Sequence, residues 1–139
     1  MTPTVLVTGA TGYQGSGTAR QLLAANIRVN ALVRDPSKPA ALELKQLGEK
    51  ICVGGFDDTE ASKEAAKGAS AVFLNLVPTL PDTESKVQYA KNVIQAAKEA
   101  GTVTSIVYSS IAMTGKHESF PEWGPEYPMY WYWTSQGSY

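Results

Sequence analysis

Between Thr4 and Tyr108 the chain alternates short β-branched runs with stretches in which apolar residues return every three or four positions. The runs match strands covered on both faces, and the stretches match helices with one apolar side. Thr4–Thr8 reads Thr-Val-Leu-Val-Thr and stops at Gly9, which predicts a buried strand. Ala19, Leu22 and Leu23 recur at i, i+3 and i+4 and predict a helix over Tyr13–Ala25. Ile27–Val33 is the second strand. Ser37 is placed to cap the next helix, Pro39 fits its first turn, and Leu44 and Leu47 are expected to face inward. Ile51–Val53, ended by Gly54 and Gly55, is the third strand, and Asp58 or Thr59 can cap a short Ala-rich helix running to Lys67. Ala71–Val77 is the fourth strand, closed by Pro78. Val87, Ala90, Ile94 and Ala97 form one apolar stripe on the longest helix, Asp82–Ala100, with Gly101 suited to its C-terminal cap. Ser105–Tyr108 is the fifth strand.

Strands alternating with helices imply parallel βαβ units with helices on both faces of one sheet. The predicted fold class is therefore α/β, a doubly wound parallel sheet of five strands in the order 3-2-1-4-5. The six-strand order of a complete sheet of this kind needs one strand more, so the chain is expected to be truncated. After residue 110 the pattern changes. Of the 13 aromatic residues eight lie between Phe120 and Tyr139, including all three tryptophans, and no Lys or Arg follows Lys116.

A length of 139 residues suits one domain, and 43% hydrophobic against 18% charged residues excludes a disordered chain. The formal charge of −1 and the pI of about 5.8 offer no field for nucleic acid or an anionic membrane, so neither is expected as a partner. The single Cys52 has no disulfide mate, and with His117 it falls short of a zinc set, so no metal is expected. No signal peptide is legible, and the apolar runs are shorter than the ~18 residues of a membrane span. A cytoplasmic location fits these features.

Gly9-Ala-Thr-Gly-Tyr-Gln-Gly15 spells G-x-x-G-x-x-G directly between a predicted strand and a predicted helix, the setting in which such a turn binds a dinucleotide. One glycine of Gly9, Gly12 and Gly15 permits the tight turn, another the approach of a pyrophosphate, and a third close helix-to-strand packing; a side chain at Gly12 or Gly15 would occupy space needed by phosphate or by the adjoining strand. Thr11, Tyr13 and Gln14 complete the turn, and the helix start favours phosphate charge. Arg34 ends the second strand, where an acidic residue would hold the 2′-hydroxyl of NAD and an Arg accommodates the 2′-phosphate of NADP. With Lys38 it reads as a clamp for NADP, and NAD is the less favoured cofactor. The plainer alternative is that Arg34 and Asp35 are solvated surface charges. Beyond the third strand, Asp57 or Asp58 can meet the adenine edge, although Asp58 equally suits a helix N-cap. Asn75 to Val77 lie where the nicotinamide half passes, and Asn75 needs a partner if buried.

Val5-Leu-Val-Thr-Gly-Ala-Thr-Gly-Tyr-Gln-Gly15, Ala31-Leu-Val-Arg-Asp-Pro36 and Tyr108-Ser-Ser110 together resemble the NmrA-like family of atypical short-chain dehydrogenases. The resemblance spans residues 4–110 and implies an NAD(P)-binding Rossmann domain over 1–110. Residues 111–139 are then an aromatic-rich tail that completes or covers the cofactor and substrate side. The family includes oxidoreductases and redox-sensing regulators without turnover. It implies a nicotinamide dinucleotide and a small-molecule substrate as partners. The expected function is NADP-dependent oxidoreduction of a small carbonyl or conjugated alkene; the alternative is a catalytically silent NADP-sensing or partner-binding module. Catalytic relatives pair a Tyr with a Lys four residues later. Tyr132 heads that spacing but meets Gln136, and Tyr127 and Tyr130 meet Trp131 and Thr134. Tyr132 is the catalytic candidate nonetheless, with Ser109 and Ser110 at the strand end where a substrate-orienting Ser often sits. Exposed aromatics in the tail would favour a homo-oligomer or a partner protein.

Overall fold

The computed structural model describes residues 2–76, 83–110 and 115–136. Within them run β1 (Thr4–Val7), α1 (Tyr13–Ala24), β2 (Arg28–Val33), α2 (Pro39–Gln46), β3 (Lys50–Val53), α3 (Thr59–Ala66), β4 (Ala71–Leu74), α4 (Thr83–Ala100) and β5 (Ser105–Tyr108). A 3-10 turn (His117–Ser119) and α5 (Tyr130–Gln136) follow. The strands form one all-parallel sheet in the order β3-β2-β1-β4-β5, as the alternation of patterns predicts.

Side chains alternate across this sheet and so fill two separate cores. Leu6, Leu32, Cys52, Val72 and Leu74 face α3 and α4, whose Ala61, Ala65, Ala90, Val93 and Ala97 close that layer. Val7, Val29, Ala31 and Val33 face the other way, onto Ala19 of α1 and Ala41 and Leu44 of α2. Alanines dominate the helix side of both layers, which lets the helices lie close to the sheet. At the sheet edge β5 is left largely uncovered by the described residues, with Ile106 and Val107 exposed.

Three local expectations are corrected. Ser37 does not cap α2: its amide and its hydroxyl both donate to Asp35 Oδ1, at 2.9 and 2.6 Å, and Lys38 stands at the N-cap with no side-chain bond. Ser37 stands one residue before the N-cap, and its hydroxyl is drawn back to the Asp35 carboxylate. Leu47 is exposed, because α2 ends at Gln46 and the chain turns at Gly48, whose φ is +94°. The fourth strand stops at Leu74, and Asn75 and Leu76 lie beyond the ladder; Val77 is outside the described residues.

The ends of β1 and β4 are tied by one buried side chain. Thr8 Oγ1 accepts the Asn75 amide proton at 2.8 Å and donates toward the carbonyls of Asn75 and Phe73, at 3.1 and 3.3 Å. Thr8→Val keeps the shape but removes both functions, leaving the Asn75 amide without its acceptor. The expected loss is about 1–2 kcal/mol of unfolding free energy, measured by denaturant titration. An unchanged midpoint would show that water replaces the hydroxyl at no cost.

Candidate functional site

The turn after β1 is built around its glycines. Gly9 has φ +61°, a conformation that favours glycine, and a Cβ there would stand 3.1 Å from the Asn75 carbonyl oxygen. A Cβ on Gly15 would overlap the Gly9 carbonyl oxygen and lie 2.9 Å from Ala10 Cα. At Gly12 a Cβ would meet the Gly9 carbonyl oxygen alone, at 3.3 Å. Gly12 is the N-cap of α1 and offers no side chain, so the first amides of α1 point out of the turn without intrahelical partners. Their dipoles make this an anion-favouring spot.

A cleft of about 480 Å³ opens there, lined by Gly9, Thr11, Gly12, Tyr13, Gln14, Asn75, Leu76, Ser109, Ser110 and Tyr132. It lies between the carboxyl ends of β1 and β4, where the strand order reverses and open α/β sheets bind ligands. Nine of the residues singled out in the sequence thus share one cavity. Across it the Ser109 hydroxyl donates to Gln14 Oε1 at 2.6 Å, joining the end of β5 to the first turn of α1. The Tyr13 ring is fully exposed at the mouth.

Gly15 and four charged candidates are not brought into this cavity. Arg34 and Lys38 are exposed, one just after β2 and the other at the start of α2. Hydrogen bonds from the Ser37 hydroxyl and amide, with Lys38 nearby, hold the Asp35 carboxyl below its ordinary range. Asp35 is therefore turned onto its own loop. Asp57 is exposed, and its carboxylate folds over Gly55. Asp58 is the N-cap of α3, accepting the Ala61 amide proton at 3.0 Å. Val77 lies outside the described residues.

The tail packs on itself. His117 is buried, its Nδ1 accepts the Gly115 amide proton at 3.2 Å, and Trp123 and Trp133 stand 4.9 and 5.9 Å from its ring. Phe120, Tyr127 and Tyr130 complete this half-buried cluster, so much of its apolar surface is spent internally. Tyr132, its ring 5.6 Å from that of Trp131, lines the cleft. Beneath Tyr132 lies Lys86 of α4, only 3% exposed, with Nζ 5.4 Å from the ring centroid. Burial pushes the Lys86 ammonium down to about 8.

Lys86 escaped the sequence reading, which looked for a cation four residues after each tyrosine. It shares the buried stripe of α4 with Ala90, Val93 and Ala97, spaced as i, i+4, i+7 and i+11. A lysine on that stripe was the signal available. Thr8 was also missed, being read as an ordinary strand residue, and Leu76 was placed on the nicotinamide path only as part of the span Asn75 to Val77.

The NmrA-like family model matches residues 1–130. Over 119 residues the chain is 40% identical to the NmrA-like family domain-containing oxidoreductase notA of Aspergillus sp. (strain MF297-2), covering 80% of this chain and 34% of that protein. The Citrobacter sp. triphenylmethane reductase, crystallised as a complex with NADP(H), superposes with a TM-score of 0.68 at 28% identity, over 82% of this chain and 39% of the reductase. NmrA, a negative transcriptional regulator crystallised in complex with NADP, superposes with a TM-score of 0.80 over 99% of this chain and 40% of the regulator. At 24% identity that likeness is one of fold. The chain spans about a third of the length of the Aspergillus relative. Among the described residues no helix is long and apolar enough to cross a membrane.

Proposed function

The chain belongs to the NmrA-like family, and on that premise we propose that it binds NADP(H) in the cleft beside β1 and β4 and serves an oxidoreductase acting on a small carbonyl or conjugated alkene. The observation that carries this reading is the convergence of Gly9, Thr11, Gly12, Tyr13, Gln14, Asn75, Ser109, Ser110 and Tyr132 on one cavity at the point where strand order reverses. The cofactor, when bound, supplies the hydride. The chain's part is to hold it and the substrate. The first amides of α1 and the bare backbone at Gly12 suit a pyrophosphate. Arg34 and Lys38 suit the 2′-phosphate, and Asp57 is assigned to the adenine side. Asn75 and Val77 are assigned to the nicotinamide half. Ser109, Ser110 and Tyr132 are assigned to the reacting end, where a hydroxyl can orient a carbonyl or hand over a proton. Residues 1–110 form the dinucleotide unit in this reading, and 111–139 cover its substrate side.

Two measurements test it. In calorimetric titrations, Arg34→Ala is expected to weaken NADP by about tenfold, the lower end for a charge-assisted hydrogen bond because Arg34 is exposed, and to leave NAD nearly unchanged. Equal affinities of the unaltered chain for NADP and NAD would overturn the 2′-phosphate clamp. NADPH oxidation against a panel of carbonyl and enone substrates is expected to show turnover. Tight NADP binding with no turnover on any of them would favour the sensing module instead.

A further inference from the structure

We propose that Lys86 is a positioning residue that holds Tyr132 in the wall of the dinucleotide cleft, its ammonium seated against the tyrosine ring and α5 thereby fixed to α4. The proposal rests on the dinucleotide reading of the cleft for its functional consequence, and on geometry for the rest. Lys86 is 3% exposed and its Nζ is 5.4 Å from the Tyr132 ring centroid. Tyr132 in turn lines the cleft with Asn75, Leu76, Ser109 and Ser110.

Two costs weigh against a lysine at this position. Burial penalises its charge. It is also the fourth residue of α4, close to the helix N-terminus, where the backbone dipole disfavours a cation. A cation kept under both costs requires an attraction local to its head group, and the face of an aromatic ring provides one that strengthens as water is excluded. A lysine present merely for its aliphatic stem would send its ammonium to solvent instead. The tail otherwise holds together through its own rings around His117, and none of those rings lines the cleft. Among the described residues Tyr132 is thus where the tail meets the cleft, and Lys86 is the side chain beneath it.

The test separates charge from packing and geometry from function. Lys86→Met keeps the stem and removes the charge; Lys86→Arg keeps the charge; Tyr132→Leu removes the ring. Amide hydrogen exchange in α5 is read first, without cofactor. Lys86→Met and Tyr132→Leu are each expected to speed exchange about five- to thirtyfold, the span of a desolvated cation–π contact. Their combination is expected to go no further than Tyr132→Leu alone, and Lys86→Arg is expected to restore protection. NADPH affinity, read by the cofactor's fluorescence, is expected to fall in the same order. Unchanged α5 exchange in Lys86→Met, or additive effects in the double variant, would overturn the proposal whether or not NADPH binds. Should Lys86→Met fail to fold, Lys86→Gln is carried through the same cycle with the same criteria. Faster exchange in a chain whose unaltered form binds no NADPH would leave the pairing standing and overturn the dinucleotide reading.

Discussion

Gly15→Ala is expected to abolish NADP binding, whereas Gly12→Ala, three residues earlier in the same turn, is expected to weaken it and leave the fold intact. The two glycines carry different loads. A methyl on Gly15 would occupy the Gly9 carbonyl oxygen and press on Ala10 Cα, both of them backbone. Backbone atoms there cannot swing aside as a flexible side chain would. Gly9 is itself pinned at φ +61° beneath Asn75, whose amide is tied to Thr8. Either α1 moves off β1 or the turn is rebuilt, and overpacking of this kind costs about 3 kcal/mol or more where nothing yields. At Gly12 the added methyl meets one oxygen at 3.3 Å and otherwise enters the cleft. It would compete with phosphate instead of with the fold. Circular dichroism, thermal melts and NADP titration on both variants separate these outcomes. Gly15→Ala binding NADP normally with an unchanged melting temperature would place the phosphate contact away from this turn.

The same contrast explains what was legible in the sequence. β1, β2 and β4 were readable because strands buried between helix layers must be continuous apolar runs, and the turn was readable because only glycines permit its close approach. Strand order followed from the order that doubly wound sheets of this kind share. Positions decided by competition between neighbours were not readable. Ser37 had two acceptable roles, and Asp35 two residues earlier settled which. The stripe drawn through Val87, Ala90, Ile94 and Ala97 was rotated slightly from the one that is fully buried, because α4 packs beside α3 on one face of the sheet and buries Ala90, Val93, Ala96 and Ala97; Val87 and Ile94 remain only half-buried. Lys86 and Tyr132 are far apart in sequence, and no local period links them. Their meeting is a property of the tail's path, which aromatic composition alone does not specify.

Glu49→Gln is expected to stabilise the folded chain at neutral pH by about 2–3 kcal/mol and to have almost no effect near pH 4. Glu49 lies between the end of α2 and β3, 5% exposed, and among the described residues neither of its carboxylate oxygens finds a hydrogen-bond donor. Burial pushes its carboxyl up from the ordinary 4.5 to about 7, against a smaller opposing pull from Arg20. Arg20 is engaged elsewhere, pairing with Glu43 at 2.7 Å. Below pH 4 the group is protonated in both the folded and the unfolded chain and contributes nothing to the pH dependence. Between about 4.5 and 7 the unfolded chain gives up the proton while the folded chain keeps it, so stability falls as pH rises. Above about 7 the folded chain is ionised too, and the full penalty persists. Each pKa unit is worth about 1.4 kcal/mol, which sets a ceiling slightly above 3 kcal/mol. A neutral amide of the same shape escapes that penalty, apart from the smaller cost of its own unmet hydrogen bonds. Melting temperatures across pH 4 to 8 are expected to separate by about 5–10 °C at the alkaline end and to converge at the acid end. Parallel curves for the two proteins, or a Glu49→Gln chain less stable at pH 8, would mean that the carboxylate is paired in the folded protein and that Arg20 has left Glu43 to meet it.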